Sequence, residues 1–91
     1  ALLARAARLG KAEAQLRASQ FDAAIGTFKQ IVDQKDVQLP EEAMLMELAR
    51  AYKLAGKKDD AQKTLTQIVE QHADSPYAQE ARTEIEKLKA S

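Results

Sequence analysis

The chain of 91 residues has no cysteine, no tryptophan and no asparagine, and only two prolines, three glycines, two phenylalanines and two tyrosines. Without cysteine there are no disulfides, no thiolate metal ligands and no cysteine nucleophile, which suits a reducing compartment or an envelope protein that needs no covalent staple. With so few aromatics, and Phe21 and Phe28 assigned to the core, a base-stacking surface for RNA or single-stranded DNA is not available. Neither sign of charge is in excess: 14 basic residues balance 14 acidic ones, so no bulk attraction draws the chain to nucleic acid or to an anionic membrane. Apolar runs are only a few residues long, too short for a bilayer span and without the layout of a signal peptide. The chain begins at Ala1 rather than at methionine, leaving room for an anchor or targeting segment upstream.

What is present is alanine. It supplies 18 residues of the 45% hydrophobic content, whereas Leu, Ile, Val and Phe together number 19. Alanine has the highest helix propensity and lets helix axes approach closely, which favours an all-α fold built on small-residue contacts. At this length one thin core is possible and two packed domains are not.

Apolar residues recur at three and four positions almost throughout, and the periodicity predicts five helices and no strand. The first covers about 2–18, with Leu2, Ala6, Leu9, Ala12 and Leu16 on one face. The second, about 20–35, carries Phe21, Ala24, Ile25, Phe28, Ile31 and Val32, with Ser19 and Asp22 as its capping box. After a connector at Asp36 to Leu39, Pro40 as first helical residue and Glu41-Glu42 open the third, which runs to about Ala55 and stops at Gly56. The fourth buries Ala61, Leu65, Ile68 and Val69 and ends near His72. In the fifth, capped by Ser75 and begun by Pro76, Tyr77, Ala81, Ile85 and Leu88 face inward.

Sliding the sequence by 37 aligns residues 18–34 with 55–71, and 8 of 17 pairs are identical, where composition alone gives roughly one. Gln30-Ile31-Val32-Asp33-Gln34 falls on Gln67-Ile68-Val69-Glu70-Gln71, and Asp22, Ala24 and Thr27 fall on Asp59, Ala61 and Thr64. Met44, Glu47 and Leu48 extend the match to Ala81, Glu84 and Ile85. The chain therefore divides into 1–37, 38–74 and a closing helix at 75–91. The leading helix of the first unit keeps its apolar face only at a spacing of 36, with Leu9 on Leu45 and Leu16 on Tyr52, which implies a turn at Ala18-Ser19-Gln20 one residue shorter than its counterpart and without glycine.

Leu48-Ala49 with Tyr52, Gly56, Ala61 and Leu65 resembles the tetratricopeptide repeat, a helix pair with small and large residues at those relative positions. The resemblance implies an α-α superhelix of about two and a half helix pairs, stacked right-handed, in which Ala49 and Ala61 let antiparallel helices approach and Tyr52 fills the gap near the turn. The connector His72-Ala73-Asp74-Ser75-Pro76-Tyr77-Ala78 is similar to repeats of bacterial cell-envelope proteins of this family, of the Tol-Pal-associated periplasmic and outer-membrane-assembly lipoprotein type. That implies an envelope or periplasmic location, the alternative being the cytoplasm.

No enzymatic chemistry emerges. His72 is the only histidine, Glu70 and Asp74 do not share its helix face at ligand spacing, and it more simply complements a helix carboxyl end. Ser19, Ser75 and Ser91 have no base to activate them, and Gly10, Gly26 and Gly56 are too scattered for a phosphate loop. Glu41-Glu42 and Lys57-Lys58-Asp59-Asp60 read as a helix start and a solvated turn, and Tyr52 as core filling. No cofactor or metal is implied.

Surface is what remains. The resemblance implies that the first helix of each pair lines a concave face, here Ala43, Met46, Glu47, Arg50, Lys53 and Leu54 from the second unit and, at the spacing of 36, Ala7, Gly10, Lys11, Ala14 and Arg17 from the first. Lys11, Arg17, Arg50 and Lys53 around a floor of small residues suit a protein or peptide partner carrying acidic groups, with Met46 and Glu47 as further candidate contacts; ordinary solvated charge is the alternative. The two-asparagine carboxylate clamp of some family members is impossible here, because the chain has no asparagine. The expectation is a non-enzymatic protein-interaction module, or else an architectural oligomerisation or spacer segment without a groove. Leu2, Leu3 and Leu9 are expected at an open end that docks onto upstream sequence or onto a second copy through the N-terminal helix.

Overall fold

The computed structural model describes the backbone of residues 2–34 and 39–90, and the side chains of those from residue 7 onward. Five helices follow one another: α1 (Leu2–Arg17), α2 (Phe21–Asp33), α3 (Glu41–Leu54), α4 (Lys58–Gln71) and α5 (Pro76–Ala90), with no strand among the described residues. The turns from α1 to α2 and from α3 to α4 are three residues long, so those helices fold back as antiparallel pairs. Because α2 also packs on α3, α4 on α5, and α3 touches α5, α1, α3 and α5 form one layer and α2 and α4 the other. The result is an all-α slab of 38 × 30 × 16 Å. Most of the Asp36 to Leu39 connector lies outside the described residues; Leu39 itself is half-buried against the core.

The two tight turns correct the expected geometry of the first pair. Ala18-Ser19-Gln20 is as long as Ala55-Gly56-Lys57, and the two are superimposable in hydrogen bonding. Ser19 N–H donates to the Leu16 carbonyl at 3.0 Å and Gln20 N–H to Gln15 at 2.8 Å; Gly56 N–H donates to Lys53 at 3.1 Å and Lys57 N–H to Tyr52 at 2.8 Å. This paired closure satisfies the last helical carbonyls and requires one left-handed residue. Gly56 takes it with φ +79°, and Ser19 takes it with φ +61°. Ser19 is therefore the counterpart of glycine rather than a cap: the residue preceding α2 is Gln20, and no side chain caps that helix.

A left-handed conformation costs a residue with a Cβ about 1–2 kcal/mol relative to glycine, less what glycine loses in the unfolded chain. Ser19→Gly is accordingly expected to stabilise the fold by about 0.5–1 kcal/mol. Gly56→Ala, where a Cβ meets nothing within 4 Å and only the backbone objects, is expected to destabilise it by about 1 kcal/mol. Urea denaturation of the two variants checks the opposite signs.

At the other helix starts, Ser75 caps as expected, its hydroxyl accepting from Tyr77 N–H at 3.2 Å. Pro40 sits one residue earlier than expected, just outside α3, where its carbonyl accepts from Ala43 and Met44 N–H groups. Glu41 and Glu42 then occupy the first turn, at the positive end of the dipole.

The core runs the length of the slab between the layers, around Phe28, Leu45 and Ile68, the largest side chains fully shielded from solvent. Five alanines expected at helix contacts are all buried: Ala12, Ala24, Ala61 and Ala81 are 0% exposed and Ala49 3%. Tyr52 fills the core beside them at 7%. Thr27 and its repeat partner Thr64 are buried polar residues, each donating to the carbonyl four residues back, Ala23 at 3.0 Å and Asp60 at 2.8 Å. The Thr27 oxygen also lies 2.8 Å from the Gln15 side-chain amide. The atom facing it is Gln15 Oε1, an alternative to the Ala23 carbonyl as acceptor for the single hydroxyl proton, and this contact ties α1 to α2. Phe21 differs from expectation. It is half-buried and outside the core cluster, because it stands at the first turn of α2 where the second unit has the exposed Lys58.

Candidate partner-binding groove

The layer formed by α1, α3 and α5 carries a groove of about 470 Å³. Its floor is apolar: Ala43, Met44, Met46 and Ala49 of α3, with Leu9 from α1, Leu88 from α5 and, beneath, Ala61 and Leu65 of α4. Glu13, Glu47, Arg50, Lys53, Glu80 and Glu84 stand around it, and Tyr77, at 37% exposure, closes the α5 side. A second hollow of about 370 Å³ adjoins it at the carboxyl ends of α1 and α3, lined by Glu13, Leu16, Arg17, Glu47, Arg50 and Leu54.

From α3, Met46, Glu47, Arg50 and Lys53 all line the main groove, with Ala43 beside them. Arg17 and Leu54 line only the adjoining hollow. Lys11 is exposed and lines neither. From α1, Leu9 and Glu13 reach the main groove, and Glu13, Leu16 and Arg17 line the adjoining hollow.

The reason is the turn. Because Ser19 matches Gly56, the spacing of 37 holds through α1 as well, placing Leu9, Glu13, Leu16 and Arg17 on Met46, Arg50, Lys53 and Leu54. A spacing of 36 rotates α1 by one residue, about 100°, and that rotation brings Lys11 to the groove and takes Glu13 away. Leu9 likewise faces the groove and packs on the core instead of an open end; the side chains of Leu2 and Leu3 lie outside the described residues. The same spacing would have found two groove residues of α5, since Ala43 and Glu47 fall on Glu80 and Glu84.

One wall of the groove is fixed by charge. Lys53 Nζ of α3 donates to Glu84 Oε1 of α5 at 3.3 Å, and Lys87 Nζ reaches the other carboxylate oxygen at 3.2 Å. Partial burial would raise the Glu84 carboxyl, but the hydrogen bonds from Lys87 and Lys53, with their charges, outweigh it and hold the group below its ordinary value. A depressed carboxylate contributes its stability above the unfolded value and loses it as the pH falls through the folded one, so the tie is intact at neutral pH. Glu13, Glu47, Glu80, Arg17 and Arg50 have no ion-pair partner among the described residues.

Away from the groove, His72 ends α4 and its Nε2 lies 2.9 Å from Glu41 Oε1, with Nδ1 3.8 Å from Glu42 Oε2. The ring therefore clasps the start of α3 to the end of α4. Its two nitrogens go to two different carboxylates, which is a bridging arrangement and not a converging ligand set. Among the described residues, no group of three or more His, Cys, Asp or Glu is placed to hold a metal ion, and no helix is long and apolar enough to cross a membrane.

A family model described as Tetratricopeptide repeat matches residues 40–85, just over half of the chain. Neither the curated proteins nor the solved structures contain a significant match.

Proposed function

Given that the chain belongs to the tetratricopeptide repeat family, whose repeats generally mediate protein–protein interactions and are generally not enzymes, we propose that its groove between α1, α3 and α5 receives a partner protein. The carrying observation is an apolar floor of Leu9, Met46 and Leu88 surrounded by charged side chains, most of them without an internal ion pair. A hydrophobic centre with a polar rim is the anatomy of a binding surface. All the lining is helical, with its backbone hydrogen bonds already made, so recognition rests on side chains. Location in the bacterial cell envelope is a further proposal that rests on the connector 72–78 alone, and fractionation of cells expressing the native protein tests it.

The groove is tested by selecting peptides on the immobilised chain from a random display library and mapping the selected peptide by amide chemical shifts. Shifts are expected to cluster at Leu9, Glu13, Met46, Arg50 and Glu84. Met46→Ala is expected to weaken the selected peptide by about fivefold or more, the loss of a central apolar contact, with the circular-dichroism spectrum unchanged. A footprint on the outer faces of α2 and α4, around Lys29 and Lys63, overturns the groove as the binding surface.

A further inference from the structure

We infer that the partner presents one face of a basic amphipathic helix, an inference that rests on the groove being the binding site. The register of α1 sets the sign of the groove. With Lys11 turned out and Glu13 turned in, the main groove holds Glu13, Glu47, Glu80 and Glu84 against Arg50 and Lys53. Lys53 and Glu84 neutralise each other across the α3–α5 wall at 3.3 Å. Three unpaired carboxylates then face one unpaired guanidinium over an apolar floor. Arg17 lines only the adjoining hollow, which shares Glu13, Glu47 and Arg50 with the main groove, so over the two together three unpaired carboxylates face two guanidinium groups and the excess is still negative. Charge complementarity therefore selects lysine and arginine over aspartate and glutamate in the occupant, opposite to the acidic partner that a lysine at position 11 would favour.

The helical form follows from hydrogen bonding. An extended peptide lying on this floor would find no sheet edge to pair its backbone N–H and C=O groups, which would depend on single rim side chains such as Arg50 and Glu47. A helix arrives with its backbone satisfied and needs to bury only a few apolar side chains, which is what a hollow of about 470 Å³ accommodates. Apolar residues at i, i+4 and i+7 would seat between Leu9, Met46 and Leu88, with basic residues flanking them toward Glu13, Glu47 and Glu80.

Two synthetic peptides of about 18 residues, with the same leucine spacing and helix-favouring alanines, test this: one carries lysine at the flanking positions and the other glutamate. Each is titrated into the chain by isothermal calorimetry at low ionic strength without lipid. Exposed charge pairs typically contribute about 0.2–1 kcal/mol each, so three of them are expected to give the lysine peptide roughly tenfold tighter binding. The triple variant Glu13→Gln, Glu47→Gln, Glu80→Gln should erase that preference at an unchanged melting temperature, and 0.5 M salt should do the same. Equal binding of the two peptides, tighter binding of the glutamate peptide, or a preference that survives the triple variant overturns the charge assignment while leaving the groove as a binding site. Failure of both peptides to bind at millimolar concentration, with no library peptide mapping to the groove, overturns the assignment and the groove together. A library peptide that binds there in extended form overturns the helical occupant alone.

Discussion

Phe28→Ala is expected to lower the stability of the fold by about 3–5 kcal/mol, the usual cost of truncating a fully buried aromatic ring to a methyl group. Phe28 is 0% exposed and stands on α2, which packs against α1 on one side and α3 on the other. The void is poorly placed to collapse. The ring is fully enclosed on a helix packed on both sides, so inward movement to fill the void would have to shift α1 or α3 as well. A chain of this size has a total stability of only roughly 5–14 kcal/mol, so the variant should sit near the edge of folding. Thermal melts followed by circular dichroism are expected to show a fall of about 15–30 °C. Phe21→Ala is the internal control: half-buried at the start of α2 and outside the core cluster, it should cost no more than about 1 kcal/mol. A fall of less than 5 °C for Phe28→Ala would show that the core does not depend on α2.

The second large effect is the reverse change, from small to large. Ala24→Leu is expected to destabilise by about 1–3 kcal/mol through overpacking, because Ala24 on α2 and Ala12 on α1 are both 0% exposed in the first antiparallel pair. Three added carbons have no cavity to enter, and the helices can receive them only by moving apart. That movement strains the Thr27 and Gln15 contact linking the same two helices, at 2.8 Å. Ala23→Leu one position earlier lies on the exposed face of α2 and should change stability by less than about 0.5 kcal/mol. Urea denaturation of the pair checks it; equal midpoints would mean that the alanines are present for helix propensity alone and that close approach is not needed.

These predictions give physical content to a composition rich in alanine and poor in large apolar side chains. A groove on one side needs thin helix layers, and buried alanines at 12, 24, 49, 61 and 81 let the two layers approach while large residues are confined to a few positions between them. The groove is thus a consequence of the same sparing use of bulk that leaves the fold sensitive at Phe28. Its α3–α5 wall is held by the Lys53, Glu84 and Lys87 cluster, and its amino-terminal wall by α1.

The five helices, the repeat of 37 and the alanine contact positions were legible in the sequence because they are local or periodic. Helix propensity, the stop at Gly56, the start at Pro76, and the identity of Gln-Ile-Val-x-Gln in the two units each speak without reference to any distant residue. The α3 side of the groove was legible for the same reason: Met46, Glu47, Arg50 and Lys53 lie on the opposite side of a helix whose buried face was plain. The rotation of α1 was not. Its apolar residues, Leu9, Ala12 and Leu16, meet apolar counterparts at 36 (Leu45, Leu48 and Tyr52), whereas at 37 Leu16 falls on Lys53, so periodicity pointed to a setting about 100° away about the helix axis. Tertiary packing decided otherwise. With Ala12 buried and α1 packed on α2, Ser19 takes a left-handed conformation that sequence preference assigns to glycine, a local cost that the packing of the pair offsets. The sign of the groove followed from that one residue of rotation, which exchanged a lysine for a glutamate at its rim.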